Sequence, residues 1–139
     1  MIRSHSLQAG DSPSRLTCVV RLMVLATWAG ALAYISLAPT VKAPPGPFGW
    51  DKFNHFAAYA VLALLQIRVL SLWWTPSLYL LFISWAMCSS YGLLLETLQA
   101  VMGVGRQCEA TDLFANALGA LVACVLFRHA GRRFFHNGQ

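Results

Sequence analysis

The sequence is poor in charged side chains. Aspartate, glutamate, lysine and arginine make up 11% of its 139 residues, and only five residues are acidic. A soluble domain carries about 25% charged residues, because its outer surface must be covered by groups that interact with water. The composition therefore excludes an ordinary soluble domain and indicates a protein that is surrounded by lipid.

Sequence signatures of several common chemistries are also missing. The four cysteines, Cys18, Cys88, Cys108 and Cys124, lack the paired spacing of a metal site. There is no G-x-S-x-G segment and no P-loop. The net charge of +5 comes from basic residues at the ends of apolar runs, a pattern that favours membrane topology over nucleic-acid binding. We predict no cofactor and no nucleic-acid partner.

Four long apolar segments are present instead. A membrane-spanning helix needs about 20 mostly apolar residues. The segments predict helices at about 16–38, 51–70, 75–101 and 111–129, with tails at 1–15 and 131–139. The first segment exceeds the apolar run of about 7–15 residues in a cleaved signal peptide, so we expect it to remain as a helix. The predicted fold is all-α, an integral membrane four-helix transmembrane bundle that forms one domain over 16–130.

The distribution of basic residues predicts the orientation of this bundle, because cytoplasmic loops of membrane proteins are enriched in lysine and arginine. A cytoplasmic N-terminus places seven basic residues inside the cell: Arg3, Arg15, Arg21, Arg68, Arg128, Arg132 and Arg133. Only Lys42, Lys52 and Arg106 then lie outside. We therefore predict that both termini are cytoplasmic and that the first and third loops are external.

Local patterns refine the third and fourth helices. Thr75-Pro76 is typical of a helix N-cap followed by proline at the first helical position. Ala115, Gly119 and Ala123 are small residues spaced four apart, which allows close approach of a neighbouring helix. We expect this ladder to serve packing.

Polar residues gather at one end of the predicted bundle. Helices 2 and 4 run antiparallel to helix 3, so the start of 2, the end of 3 and the start of 4 meet at the external face. The candidate ligand-binding residues at this level are Asp51, Lys52, His55, Tyr59, Glu96, Gln99, Arg106, Asp112 and Asn116. Helical periodicity places the polar residues of each helix on one side, facing the bundle.

The roles of these residues divide into functional and structural ones. Ionisable groups within membrane segments are costly and usually mark functional sites. A structural role is the alternative for each of the others. Asp51 and Asp112 could cap their helices, and Arg106 could form an ion pair with Glu96 or Asp112. The helices could also be joined by hydrogen bonds from Tyr59, Gln99 and Asn116. His55 and Glu96 are not caps, which makes them the candidates for catalysis. A metal held by His55, Glu96 and Asp112 is conceivable, but the same set suits anion binding or proton transfer, and we predict no metal.

The same residues resemble the VanZ-like family of membrane proteins. The matching pieces are Ser36-Leu37-Ala38-Pro39, Asp51-Lys52-x-x-His55-Phe56-x-x-Tyr59, Gly92-x-x-x-Glu96-x-x-Gln99, and Arg106 followed after five residues by Asp112-Leu113-x-Ala115-Asn116-x-x-Gly119. They cover about residues 36–120 in the family's order. The stretch between Arg106 and Asp112 departs mildly from the family's pattern. It has Cys108 and Glu109 where apolar or small polar residues are expected.

The resemblance implies a multi-pass protein of the bacterial cytoplasmic (inner) membrane that is associated with the cell envelope. The family's namesake contributes to resistance against teicoplanin, a lipoglycopeptide antibiotic. Three functions are left open. The first is binding of a lipid-linked envelope component or a lipoglycopeptide through an external polar pocket, with Lys52 and Arg106 meeting anionic groups. The others are an accessory subunit of a larger membrane protein complex, and a hydrolase or transferase with His55 and Glu96 as its acid–base pair.

Overall fold

Four helices make up most of the part of the chain that the computed structural model describes, residues 13–38, 50–102 and 109–136. They are α1 (Arg15–Leu37), α2 (Trp50–Leu70), α3 (Leu78–Met102) and α4 (Ala110–His136). Each helix is long and apolar enough to cross a membrane, and the described residues contain no strand. The predicted all-α, four-helix transmembrane fold is confirmed. The direction in which the helices cross the membrane stays a prediction.

Local side-chain chemistry explains where the helices begin and end. The Ser14 hydroxyl accepts a hydrogen bond from the Thr17 amide at 3.2 Å and caps α1. This helix ends at Leu37, and Ala38 is extended, as expected for a residue that precedes a proline. The cap of α3 is Ser77, whose hydroxyl accepts from the Leu80 amide at 3.2 Å. The prediction of Thr75 as that cap is therefore wrong. The helix begins at Leu78, and Ser77, three residues before Leu80, satisfies the free amide of Leu80.

α4 is longer than the sequence suggested. It continues to His136, so residues 131–136, which the sequence predicts in a tail, are helical. The sequence has no proline in this stretch to stop the helix, and the first residues typical of a helix end are Asn137-Gly138.

α2 and α3 form the centre of the bundle. Each of them packs against the other and against both α1 and α4, whereas α1 and α4 do not contact each other within the described residues. Side chains fix α1 by hydrogen bonds to backbone carbonyls: Trp28 Nε1 donates to Ala58 O at 3.1 Å, and Tyr91 Oη donates to Ala29 O at 2.8 Å. The ladder of small residues on α4 is buried, as predicted, with Ala115 at 8% and Ala123 at 2% exposure.

Polar and apolar side chains are distributed in the opposite way to a soluble protein. Many large apolar side chains point outward, among them Val20, Phe82, Leu93 and Leu126. The interior contains the polar residues Gln66, Ser84, Glu96, Gln99, Asp112 and Asn116 beside its apolar core. This arrangement suits a lipid solvent, in which apolar side chains are stable outside and polar groups must find partners inside.

Candidate functional site

The chain direction brings the starts of α2 and α4 and the end of α3 together, and we call this the polar end of the bundle. The last turn of α1 lies here as well, because Gln99 Nε2 donates to the Ser36 carbonyl at 2.7 Å. Glu96 lies six residues before the end of α3, and Asn116 lies six residues after the start of α4. Both are therefore about 9 Å inside the end of their helix, at about 1.5 Å per residue.

The deeper part of the polar end, which we call the inner group, consists of His55, Tyr59, Glu96 and Asn116. Tyr59, Glu96 and Asn116 are 4%, 3% and 1% exposed, and His55 is partly buried, with 14% of its side chain exposed. α3 comes closest to Tyr59 and Asn116 at Gly92, which has no side chain. A Cβ placed on Gly92 would lie only 3.0 Å from Asn116 Nδ2 and 3.1 Å from Tyr59 Cε1. The glycine thus allows three helices to meet around one buried amide.

The His55 ring is held between an amide and a carboxylate. Its Nδ1 lies 3.1 Å from Asn116 Oδ1, and because an amide oxygen can only accept, Nδ1 carries the proton. Its Nε2 lies 3.9 Å from Asp51 Oδ1, one helical turn earlier on α2. This arrangement orients Nε2 toward the open side of the polar end, where it can accept a proton or bind a cation.

Asn116 has hydrogen-bonding capacity that its described neighbours leave unused. Its Nδ2 is buried and has no hydrogen-bond partner among the residues that the structure describes. Such an orphaned N–H group costs about 1–3 kcal/mol. An acceptor atom of a ligand or a water molecule at this point would recover that free energy.

Four charged residues surround the inner group on the open side, and we call them the entrance group: Asp51, Lys52, Glu109 and Asp112. Lys52 Nζ binds Asp112 Oδ1 and also binds Glu109 Oε2 at 2.5 Å. The hydrogen bond from Lys52 lowers the pKa of Glu109 below the ordinary value of a glutamate. With three carboxylates and one ammonium group, the entrance group is electronegative as a whole.

The structure places most of the predicted site residues in these two groups. Asp51, Lys52, His55, Tyr59, Glu96, Asp112 and Asn116 belong to them. Gln99 is 2% exposed, but its amide donates a hydrogen bond to the α1 backbone. We therefore assign it a role in helix packing. Asp51 is at the edge, with 56% of its side chain exposed, and a carboxylate oxygen lies beside His55 and Asp112. Arg106 lies outside the described residues.

Two participants were not among the predicted site residues. Glu109 is a departure from the family's pattern, but it precedes Asp112 by three residues, a spacing that places both carboxylates on one side of a helix start. Gly92 was part of the family motif, but its contact with Asn116 depends on how α3 and α4 cross. Sequence periodicity gives the face of each helix and not the depth at which two faces touch.

The donor atoms of Asp51, His55 and Asp112 lie within 4.8 Å of one another, close enough for one metal ion. The trio that the sequence suggests contains Glu96 in place of Asp51. The carboxylate that shares this space with His55 and Asp112 is the one on the preceding turn of α2.

An apolar groove of about 210 Å³ lies between α3 and α4, toward the opposite end of the bundle. Its walls include Leu78, Phe82, Trp85, Leu121 and Val125, with Arg128 at the margin. Leu121 is eleven residues after the start of α4 and five residues beyond Asn116, which is about 7.5 Å farther along the helix axis at about 1.5 Å per residue. The groove contributes no polar group to the candidate site.

Comparison with known proteins gives one family. The family model described as VanZ/LLP1 matches residues 3–134, which is nearly the whole chain. No curated protein and no solved structure matches the sequence.

Proposed function

The chain belongs to the VanZ/LLP1 family, and from this we propose that it binds the polar head of a lipid-linked cell-envelope component at the polar end of its bundle. We place it in the bacterial cytoplasmic membrane, with the polar end at the outer face. A lipoglycopeptide, which also joins an acyl chain to a glycosylated polar part, belongs to the same ligand class. In both cases the acyl part lies along the apolar helices and the head group enters between α2, α3 and α4.

The observation that carries this proposal is the Asn116 amide. It is 1% exposed, its Oδ1 accepts from His55, and its Nδ2 has no partner among the described residues. Buried polar groups in membrane bundles are normally satisfied by neighbouring helices. A donor that remains open beside a titratable histidine therefore supports a site for a ligand with hydrogen-bond acceptors.

The charge of the entrance group favours a particular type of head group. The ammonium of Lys52 is already bound by Glu109 and Asp112, so it offers less to an anion than the sequence suggested. Carboxylates accept hydrogen bonds from hydroxyl and amino groups. The sugar part of a lipid-linked saccharide is rich in both, and it fits this site better than a bare phosphate does.

The test is a binding titration on the purified chain in detergent, with a fluorescent lipid-linked disaccharide as the probe. Asn116→Leu replaces the amide with an apolar group of similar volume, and we expect binding to weaken about tenfold, because about 1–2 kcal/mol of hydrogen bonding is lost. The matched control is Gln66→Leu. Gln66 is also buried, but it bonds Met87 and Cys88 eleven residues beyond His55, about 16 Å away.

We expect Gln66→Leu to bind the probe like the wild type. Teicoplanin, used as an unlabelled competitor, should displace the probe if lipoglycopeptides share the site. Equal affinity of wild type, Asn116→Leu and Gln66→Leu would refute the proposal, as would binding no stronger than that of empty detergent micelles.

One arrangement favours a second function, that of a hydrolase or transferase on a lipid-linked substrate. Asn116 orients His55 through Nδ1 and leaves Nε2 as the nitrogen that takes a proton, as a general base is oriented in many enzymes. This function requires turnover of the bound lipid that disappears in His55→Gln. Binding without any product would leave the first function as the better account.

A further inference from the structure

We infer that Asp51, His55 and Asp112 form a binding site for one divalent transition-metal cation, with Asn116 as its orienting partner. The three donor atoms lie within 4.8 Å of one another. Two donors on a tetrahedral ion with bonds of about 2.1 Å are about 3.4 Å apart. Side-chain rotations that move these atoms by about 1 Å are therefore enough to close the site.

The hydrogen bond of His55 is the first argument for a metal. Histidines that bind metals donate their other ring N–H to a carbonyl, a carboxylate or water, which fixes the tautomer. In this structure Nδ1–H donates to Asn116 Oδ1 at 3.1 Å. The Nε2 lone pair is then available, on the side of Asp51.

The approach of His55 to Asp51 is the second argument. In that tautomer Nε2 and the carboxylate Oδ1 are both acceptors, and they are 3.9 Å apart. Two acceptors at this distance can bind one donor or one cation between them. Asp112, which is 6% exposed, adds a third acceptor and a second negative charge to the same space, so a doubly charged cation matches the set better than a single proton.

Lys52 binds Asp112, one of the three proposed metal ligands. Its ammonium group lies against Asp112 and Glu109, where it neutralises Asp112. A metal ion that binds Asp112 displaces this ammonium, and Glu109, already 2.5 Å from Nζ, retains it. Lys52 is therefore a competitor of the metal, and Glu109 is the residue that keeps the competitor nearby and neutralised.

The donor set indicates which metals to use. One imidazole and two carboxylates suit Zn²⁺, Mn²⁺ and Fe²⁺ rather than Ca²⁺ or Mg²⁺, which take oxygen ligands. Three protein ligands leave at least one coordination position open on the exposed side of Asp51, as in metal sites that also bind a small ligand. We choose Zn²⁺ and Mn²⁺ as probes.

The experiment measures metal binding to the chain, purified without a histidine tag and stripped with a chelator, in detergent free of added lipid. Isothermal titration with Zn²⁺ and with Mn²⁺ gives the affinity, and elemental analysis after gel filtration gives the stoichiometry. We expect one ion per chain, at least tenfold weaker binding in His55→Gln, and unchanged binding in His129→Gln. His129 is an exposed histidine near the far end of α4, and its variant is the matched control.

Two further variants make the test independent of folding and of general charge. Asp51→Asn changes an exposed side chain and should also weaken binding at least tenfold, and this variant decides the question if His55→Gln does not fold. Lys52→Met should strengthen binding several-fold, and that gain should vanish in Lys52→Met/His55→Gln. Absence of bound metal, equal affinity of His55→Gln or Asp51→Asn and wild type, or a loss confined to His129→Gln would overturn the inference. Because no lipid is present, this result does not depend on the proposed function.

Discussion

Gly119 of α4 lies directly against the backbone of Phe56 on α2. A Cβ placed on Gly119 would be 2.8 Å from the Phe56 carbonyl carbon and 3.0 Å from its Cα, closer than atoms of this kind pack. On α4, Gly119 is one turn deeper than Asn116, and on α2, Phe56 directly follows His55. The spacing of α2 and α4, and with it the geometry of the inner group, therefore depends on the absence of a side chain at this position.

We predict that Gly119→Ala destabilises the protein. The added methyl group meets backbone atoms that cannot rotate away, so the helices must separate, at a cost of about 1–3 kcal/mol as in other overpacked cores. The thermal unfolding midpoint in detergent, followed by circular dichroism, should fall. Gly30→Ala is the control, since a Cβ at Gly30 meets nothing within 4 Å and alanine favours the helix. A midpoint for Gly119→Ala as high as that of Gly30→Ala would contradict the packing described above.

The pair of Lys52 and Glu109 predicts how stability changes with pH. Lys52 lowers the pKa of Glu109 in the folded protein, so this pair contributes stability above the pKa of an unfolded glutamate, about 4.3. The contribution is lost as the pH falls through the lower folded pKa. Wild type should therefore lose more stability than Glu109→Gln between about pH 5 and pH 3.

The measurement is the unfolding midpoint of both proteins across this pH range. Thr111→Val serves as a control, because it removes the hydroxyl that donates to Glu109 at 3.1 Å and leaves Lys52 in place. Its curve should keep most of the slope of the wild type. Parallel curves for wild type and Glu109→Gln would mean that the ion pair adds nothing to stability.

Much of the fold follows from the sequence because membrane helices obey strong local rules. Apolar segments of sufficient length predict the four helices. The four-residue spacing of Ala115, Gly119 and Ala123 predicts the face of α4 that packs closely against a neighbouring helix. The alternation of chain direction also placed the starts of α2 and α4 beside the end of α3. These features depend on length, period and direction, all of which are properties of the linear sequence.

The partners within the polar end could not be obtained in this way. The nine predicted residues include both Gln99 and Asn116, yet Gln99 bonds the backbone of α1 whereas Asn116 faces His55. Glu109 bonds Lys52 across 57 positions of sequence. Such choices depend on rotations of the helices by a few tens of degrees and on their relative depth, which a helical period read from one chain does not fix.

Gln99 gives a prediction about how α1 is attached. Its amide donates to Ser36 O at 2.7 Å, near the point where α1 ends. Gln99→Leu should loosen this attachment by about 0.6–1 kcal/mol, the usual worth of a hydrogen bond between membrane helices. Hydrogen–deuterium exchange should then be faster in the last turn of α1 and unchanged near Arg21.

Thr97→Val provides the comparison for Gln99→Leu. Thr97 is exposed, and its hydroxyl bonds Leu93 O of its own helix at 2.7 Å, so its loss should leave exchange in α1 unaffected. If both variants accelerate exchange in α1 equally, the effect comes from α3 as a whole and the specific role of Gln99 is wrong.

Gly92→Ala should act on the candidate site and much less on stability. A Cβ at this position meets the ends of two side chains, Asn116 Nδ2 at 3.0 Å and Tyr59 Cε1 at 3.1 Å, which can each yield by a few tenths of an ångström. The cost of that shift is offset by the higher helix propensity of alanine, so we expect the free energy of unfolding to change by less than about 1 kcal/mol. The Asn116 amide, however, must move relative to His55.

This movement can be observed directly by nuclear magnetic resonance in detergent. The side-chain amide signals of Asn116 and the ring signals of His55 should shift in Gly92→Ala, because their hydrogen bond of 3.1 Å changes in length or angle. Ser90→Ala, an exposed position on the same helix, should leave both sets of signals in place. Unchanged Asn116 and His55 signals in Gly92→Ala would show that α3 does not press on this amide, and the glycine would then have no part in holding the inner group together.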